Sequence, residues 1–148
     1  MSVCVSVCVC VCVCVRARAR AYLLKSHSFI HTKNPLCVGR SADGIIYVVD
    51  SADREKLDEA RIELLRLVKG QNNPGCLPTL ILANKQDLPH SLTPEEVGKE
   101  LSVQELSMSQ QCQLLPVCAI TGEGLADAMD CMVDMVRKWK KGKGKHAR

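Results

Sequence analysis

An α/β fold with a parallel sheet and flanking helices is predicted for residues 43–139, and three observations predict it. Three short apolar runs of strand character alternate with stretches whose apolar residues recur at helical spacing. Each run stops abruptly at polar or glycine-containing residues, as strands do where a sheet ends in loops. The order strand, helix, strand, helix, strand, helix then implies parallel pairing with right-handed crossovers.

Gly44-Ile45-Ile46-Tyr47-Val48-Val49-Asp50 is a continuous apolar run ended by an acid, the pattern of a central strand covered on both faces. Ser51 or Asp53 can cap the helix that follows, with Glu55 in its first turn. Leu57, Ala60, Leu64, Leu65 and Val68 form its buried stripe. Gly70 to Pro78, with two prolines and two glycines, is the loop back to a strand over Thr79–Ala83. A loop containing Pro89 leads to Thr93-Pro94-Glu95-Glu96, a capping box with proline at the first helical position, and that helix runs to about Leu101. The third strand is expected over Leu114–Ala119. Thr121-Gly122-Glu123-Gly124 precedes a last helix with Leu125, Met129, Met132, Val133, Val136 and Trp139 along one face. The methionines read as core filler, not as a ligand site.

The two ends of the chain differ from this middle. Residues 1–40 hold six Lys/Arg and no acid, residues 41–136 hold seven against sixteen acids, and residues 137–148 hold seven and none. Residues 1–42 are therefore set apart as a low-complexity N-terminal segment, 43–139 as the folded unit and 140–148 as a basic tail. Alternating Val-Cys over residues 3–15, then Arg-Ala, is what a dinucleotide repeat would encode, so a translated repeat or a mis-set gene start is expected there. The apolar stretch is shorter than a membrane span, its arginines follow it where a signal peptide would place them before, and Ser2 excludes N-myristoylation. Cys10, Cys14, His27 and His31 have zinc-finger spacing, but a repeat this rich in cysteine supplies such a pair by chance. Of the ten cysteines five fall in that repeat and the other five, Cys37, Cys76, Cys112, Cys118 and Cys131, are scattered; they are expected to be reduced thiols.

Chemistry enters at Leu80-Ile81-Leu82-Ala83-Asn84-Lys85-Gln86-Asp87, where a strand ends in four polar residues. Guanine presents two adjacent donors, N1–H and the 2-amino group, and a fixed Asp87 carboxylate can accept both. Adenine lacks that pair, so a buried Asp87 would reject it. Asn84 can donate to the base N7 while its other atoms tie the loop, and the alkyl stem of Lys85 can lie on the ring face. Ligands of such sheets sit beyond the carboxyl ends of the strands. Cys118-Ala119-Ile120 emerges on that same edge, where the Ala119 N–H can meet the guanine O6.

In these segments the chain resembles the Arf/Arl small GTPases of the Ras superfamily. The resemblance is carried by Asp43-Gly44-Ile45-Ile46-Tyr47-Val48-Val49-Asp50-Ser51, by Leu82-Ala83-Asn84-Lys85-Gln86-Asp87-Leu88-Pro89 and by Cys118-Ala119-Ile120-Thr121-Gly122-Glu123-Gly124-Leu125. It covers Asp43 to about Trp139, and the basic tail is most similar to Arf-like members with a polybasic C-terminus. It implies a P-loop NTPase-type sheet, here truncated to its C-terminal half of three strands and three helices. GTP or GDP is the implied ligand, with Mg2+ as cofactor in the intact family, and exchange factors, activators and effectors are the implied partners. The departures are as specific. The family's Gly-x-x-x-x-Gly-Lys-Ser/Thr phosphate loop, switch threonine and Asp-x-x-Gly-Gln do not occur in these 148 residues. Without the strand that leads into that loop, Ile45–Val49 is expected to be an exposed apolar edge, which the Val-Cys segment could cover as a makeshift strand. Guanine selectivity with weak binding and no hydrolysis is the expectation, for a truncated form or the product of a mis-set start.

Arg137, Lys138, Lys140, Lys141, Lys143 and Lys145 crowd the C-terminal end. Attraction to an anionic membrane is the favoured functional reading, hence a cytoplasmic protein at a membrane periphery. Nuclear import is the other use of such a run, and nucleic acid is not expected as a partner. Two rival functions stand beside a GTP-binding one: a non-catalytic remnant that binds membrane or protein through its tail, and a zinc or nucleic-acid module in residues 1–40.

Overall fold

The computed structural model describes residues 9–13, 43–69, 77–109 and 111–143. Strand β1 is Val9–Val13 and β2 is Gly44–Asp50. A single 3-10 turn, Arg54–Lys56, leads into α1, Leu57–Lys69. Then come β3, Thr79–Asn84, the helices α2, Pro94–Glu100, and α3, Val103–Ser109, β4, Cys112–Pro116, and α4, Leu125–Lys143. The sheet order is β1-β2-β3-β4. β2, β3 and β4 are parallel, with Tyr47 opposite Ile81 and Ile81 opposite Leu114.

Alternation along β2 and β3 builds a core on each face of the sheet. Tyr47, Val49, Ile81 and Ala83 pack with Leu57, Ala60 and Leu64 of α1 and with Val97, Leu101 and Leu106 around α2 and α3. Ile46, Leu80 and Leu82 face the other way, onto Ala128, Met132, Met135 and Val136 of α4. The Tyr47 hydroxyl, buried with its ring, donates to the Ala60 carbonyl at 2.9 Å and so fixes α1 against the sheet. Burial on both faces is what a continuous apolar run predicts. The α4 methionines are core residues, as expected.

Several bounds differ from the sequence reading. The third parallel strand starts at Cys112, two residues early, and leaves regular pairing at Pro116. Val117 still donates to the Ala83 carbonyl at 3.0 Å, after which the chain turns away, because Cys118 pairs within its own loop to Glu123 at 3.0 Å. The first helix begins at Leu57, and Asp53 makes no side-chain cap bond. Two elements are additional to the expected three strands and three helices. One is α3, entered through Ser102 at φ +53°. The other is β1, antiparallel to β2 with Val9 opposite Val48 and Val13 opposite Gly44, which covers the edge of β2. The last helix continues past Trp139 to Lys143, so the first residues assigned to the tail are helical.

Among the described residues Cys112, Cys118 and Cys131 are free thiols. Cys14, His27 and His31 of the zinc-finger spacing lie outside the described residues, and Cys10 falls in β1. Among the described residues no helix is long and apolar enough to cross a membrane.

Candidate functional site

The polar tips of β2 and β3 stand side by side, because Asp50 pairs in register with Asn84. Asn84 ends β3 and the chain turns at Lys85, whose φ of +67° lies in the left-handed region that a non-glycine residue rarely adopts. The turn is held from several sides. Ser51 donates its backbone N–H to the Asn84 carbonyl at 3.1 Å, and Gln86 donates its own to Val117 at 3.5 Å. The Gln86 side-chain amide donates to the Ser51 hydroxyl at 3.0 Å and to the Leu92 carbonyl at 3.1 Å. The Lys85 ammonium reaches the Asp50 carboxylate at 2.6 Å, and Asp50 is itself oriented by the Ala52 N–H at 3.0 Å.

The loop after β4 closes on the one after β3. Ala119 donates its backbone N–H to Asn84 Oδ1 at 3.0 Å, and the Cys118 thiol donates to Asp87 Oδ1 at 3.2 Å. Two turns 35 and 31 residues apart in sequence are therefore cross-linked at the tip of the sheet. The second turn is shaped by Gly122 and Gly124, at φ +82° and +75°, and by the Gly122 N–H on the Cys118 carbonyl at 2.9 Å. Cys118 is buried; Asp87 and Ala119 are exposed, open to a ligand from outside.

The sequence-predicted site residues are thus largely brought together, with three differences. Asp87, expected to be buried, is exposed, since it sits on a loop beyond the sheet. The Ala119 N–H assigned to guanine O6 is already engaged by Asn84. Ile120 is 86% exposed and projects away from the packed residues. The Lys85 stem is anchored at its far end by Asp50, a residue read from the sequence only as the end of a strand. Its signal was its register position opposite Asn84, visible once the two strands are paired.

Of the basic residues near the C-terminus, Arg137, Lys138, Lys140 and Lys141 are exposed on the final turns of α4. Arg137 pairs with Asp134 at 3.2 Å and Lys140 with Asp43 at 2.8 Å. Lys143 ends α4, and Lys145 lies outside the described residues.

In an open parallel α/β sheet the loops beyond the carboxyl ends of the strands are where ligands bind. The fold is similar to that of the Arl6 BBS3 small GTPase from Trypanosoma brucei, in a structure with bound nucleotide analogue GppNp, with a TM-score of 0.61 at 22% identity over 66% of this chain and 60% of that one. The family model "Arf: ADP-ribosylation factor family" matches residues 38–136, and the chain belongs to that family. It is 47% identical over 102 residues to human ADP-ribosylation factor-like protein 4C, covering 69% of this chain and 53% of that protein. To human ADP-ribosylation factor-like protein 4A it is 45% identical over 102 residues, covering 69% of this chain and 50% of that protein. The chain therefore spans about half the length of the curated relatives it matches.

Proposed function

We propose that this chain binds the guanine base of GTP or GDP at the tip of its sheet, through Asn84, Lys85 and Asp87 on one side and Cys118, Ala119 and Ile120 on the other. The observation that carries the proposal is the cross-link between the two loops. With Asn84 Oδ1 on Ala119, the Asn84 amide nitrogen is the atom left to donate to the base N7. With the Cys118 thiol on Oδ1, the Asp87 carboxylate is held in orientation before the base arrives. Guanine O6 then competes with Asn84 for the Ala119 N–H, either by sharing it or by displacing the amide oxygen.

The residues present fit a base and do not fit the rest of the nucleotide. The 148 residues contain no phosphate loop, no switch threonine and no Asp-x-x-Gly-Gln. Among the described residues no group of three or more His, Cys, Asp or Glu could hold a metal. No phosphate contact, magnesium site or hydrolytic step is assigned to them. About half a dozen charged contacts at ~1.5–3 kcal/mol each amount to on the order of 10 kcal/mol of binding that this chain does not make. Binding is accordingly weak and base-selective, without turnover of GTP.

Asp87→Asn is the direct test. Xanthine carries a carbonyl where guanine carries its 2-amino group, so an amide at position 87 can donate to it and a carboxylate cannot. Titrations with guanosine and xanthosine nucleotides should show wild type preferring guanine and Asp87→Asn reversing the order. An unchanged preference would place base reading elsewhere.

Association of the basic end of α4 with anionic lipid is a second, separate proposal. Arg137, Lys138 and Lys141 stand exposed near the end of the helix, and Lys143 and Lys145 extend the run. Each such charge near a negative surface contributes about 1 kcal/mol at most physiological compositions. Membership of the family makes exchange factors, activators and effectors its expected protein partners.

A further inference from the structure

We propose that Asp50 is a positioning residue for base binding, which fixes the Lys85 side chain as the platform under the purine ring. This rests on the reading of the site given above and adds to it a residue outside both base-reading loops.

Three observations converge on it. The Lys85–Asp50 ion pair is short, at 2.6 Å, and it joins groups of unequal burial, with the Lys85 side chain 43% and the Asp50 side chain 17% exposed. Asp50 does not swing freely, because its other oxygen accepts the Ala52 N–H at 3.0 Å and its backbone pairs in register with Asn84. The neighbouring residue repeats the arrangement: Ser51 receives the Gln86 amide at 3.0 Å, so two consecutive residues at the tip of β2 hold two consecutive residues at the tip of β3. A lysine stem otherwise samples many rotamers, and a ligand that needs it flat must order it. Anchoring the ammonium at its end removes most of that cost before the ligand arrives.

The role differs from that of Asp87 in a measurable way. An alkyl stem under a purine contacts the ring face, which guanine and hypoxanthine share, whereas Asp87 reads the 2-amino group that only guanine has. Loss of Asp50 should therefore weaken both bases alike and leave their ratio intact. Asp50→Asn keeps an oxygen for the Ala52 N–H and removes the charge. Lys85→Met keeps an apolar stem and removes the ammonium.

The experiment titrates GDP and inosine diphosphate into full-length wild type, Asp50→Asn, Lys85→Met and the double variant. Side-chain NMR of Lys85 in the ligand-free proteins accompanies it. Affinity for both nucleotides should fall roughly three- to tenfold in each single variant, with the GDP-to-inosine ratio unchanged and the double variant no weaker than either single one. The Lys85 ε-methylene signals should be dispersed in wild type and collapse toward free-lysine values in Asp50→Asn. Unchanged affinity in Asp50→Asn, or additive losses in the double variant, overturns the positioning role while leaving guanine binding standing. Equal affinity of wild type for GDP and inosine diphosphate, or none for either, instead refutes the base-site reading and the positioning role with it.

Discussion

Gly124 shows how much of the second base loop depends on one backbone angle. At φ +75° it occupies a region that L side chains rarely adopt, and a Cβ there would lie 2.5 Å from the Pro116 carbonyl oxygen. That oxygen belongs to the strand end and cannot be moved aside as a flexible side chain could. Gly124→Ala should cost about 1–3 kcal/mol of stability, measured by denaturant unfolding, and weaken guanine binding in parallel. Cys112 makes a different statement. It is buried at the start of β4, and desolvation pushes its thiol up to about 11 from an ordinary 9.0. A raised acid keeps its stabilising contribution below the unfolded-state value and loses it as pH rises to the folded one. Wild type should then lose about 2–3 kcal/mol more stability than Cys112→Ala between about pH 9 and pH 11, in unfolding curves across that window. The grouping of Asn84, Lys85 and Asp87 at the end of β3 was legible in the sequence, since their spacing is local and the strand run stops there. Asp50 was not, because its contact with Lys85 spans 35 positions and exists only through strand register.

Among the elements, α2 was the most legible and α3 the least. Thr93 and Glu96 form the capping box that their spacing predicts, with the Glu96 N–H on the Thr93 hydroxyl at 3.3 Å and the Thr93 N–H on the Glu96 carboxylate at 2.9 Å. Thr93→Ala should cost about 1 kcal/mol in unfolding experiments. Separately, the backbone N–H of Thr93 holds the Glu96 carboxyl below its ordinary value, so the stabilisation from that bond is present above the unfolded carboxylate range and fades as pH falls through the folded one. Helix α3 follows α2 after a two-residue break at Leu101 and Ser102, too short for hydrophobic periodicity to mark the restart. Ser102 with Glu105 three residues on was the available signal of a new N-terminus. β1 was legible as an alternating run, and its place beside Gly44–Asp50 follows from the edge that the missing family strand would leave open. Its partner, the edge of β2, is a property of the sheet, and an uncovered Ile45–Val49 edge would invite pairing with other chains.

At the scale of the molecule, charge is partitioned where fold is not. The acidic middle packs α1, α2 and α3 on one sheet face and α4 on the other, and α4 carries the chain outward into its basic end. Two of those basic residues are paired with acids, Arg137 with Asp134 and Lys140 with Asp43, which reduces the charge available to a surface. Vesicles containing anionic lipid should retain the chain at low salt and release it as ionic strength rises, and removal of residues 137–148 should abolish retention. Neutral vesicles binding equally well would exclude the electrostatic account. The proposed base site has the opposite character, since it is built from backbone register and short-range hydrogen bonds, and glutamine at the exposed Lys138 and Lys141 should leave it unchanged. The most direct test of the central claim is amide NMR of the chain titrated with guanosine and, separately, adenosine. Guanosine-specific shifts are expected at Asn84, Asp87, Cys118 and Ala119, and they should vanish in Asp87→Ala; equal shifts with adenosine, or guanosine shifts confined to other parts of the chain, would rule out guanine reading by these loops.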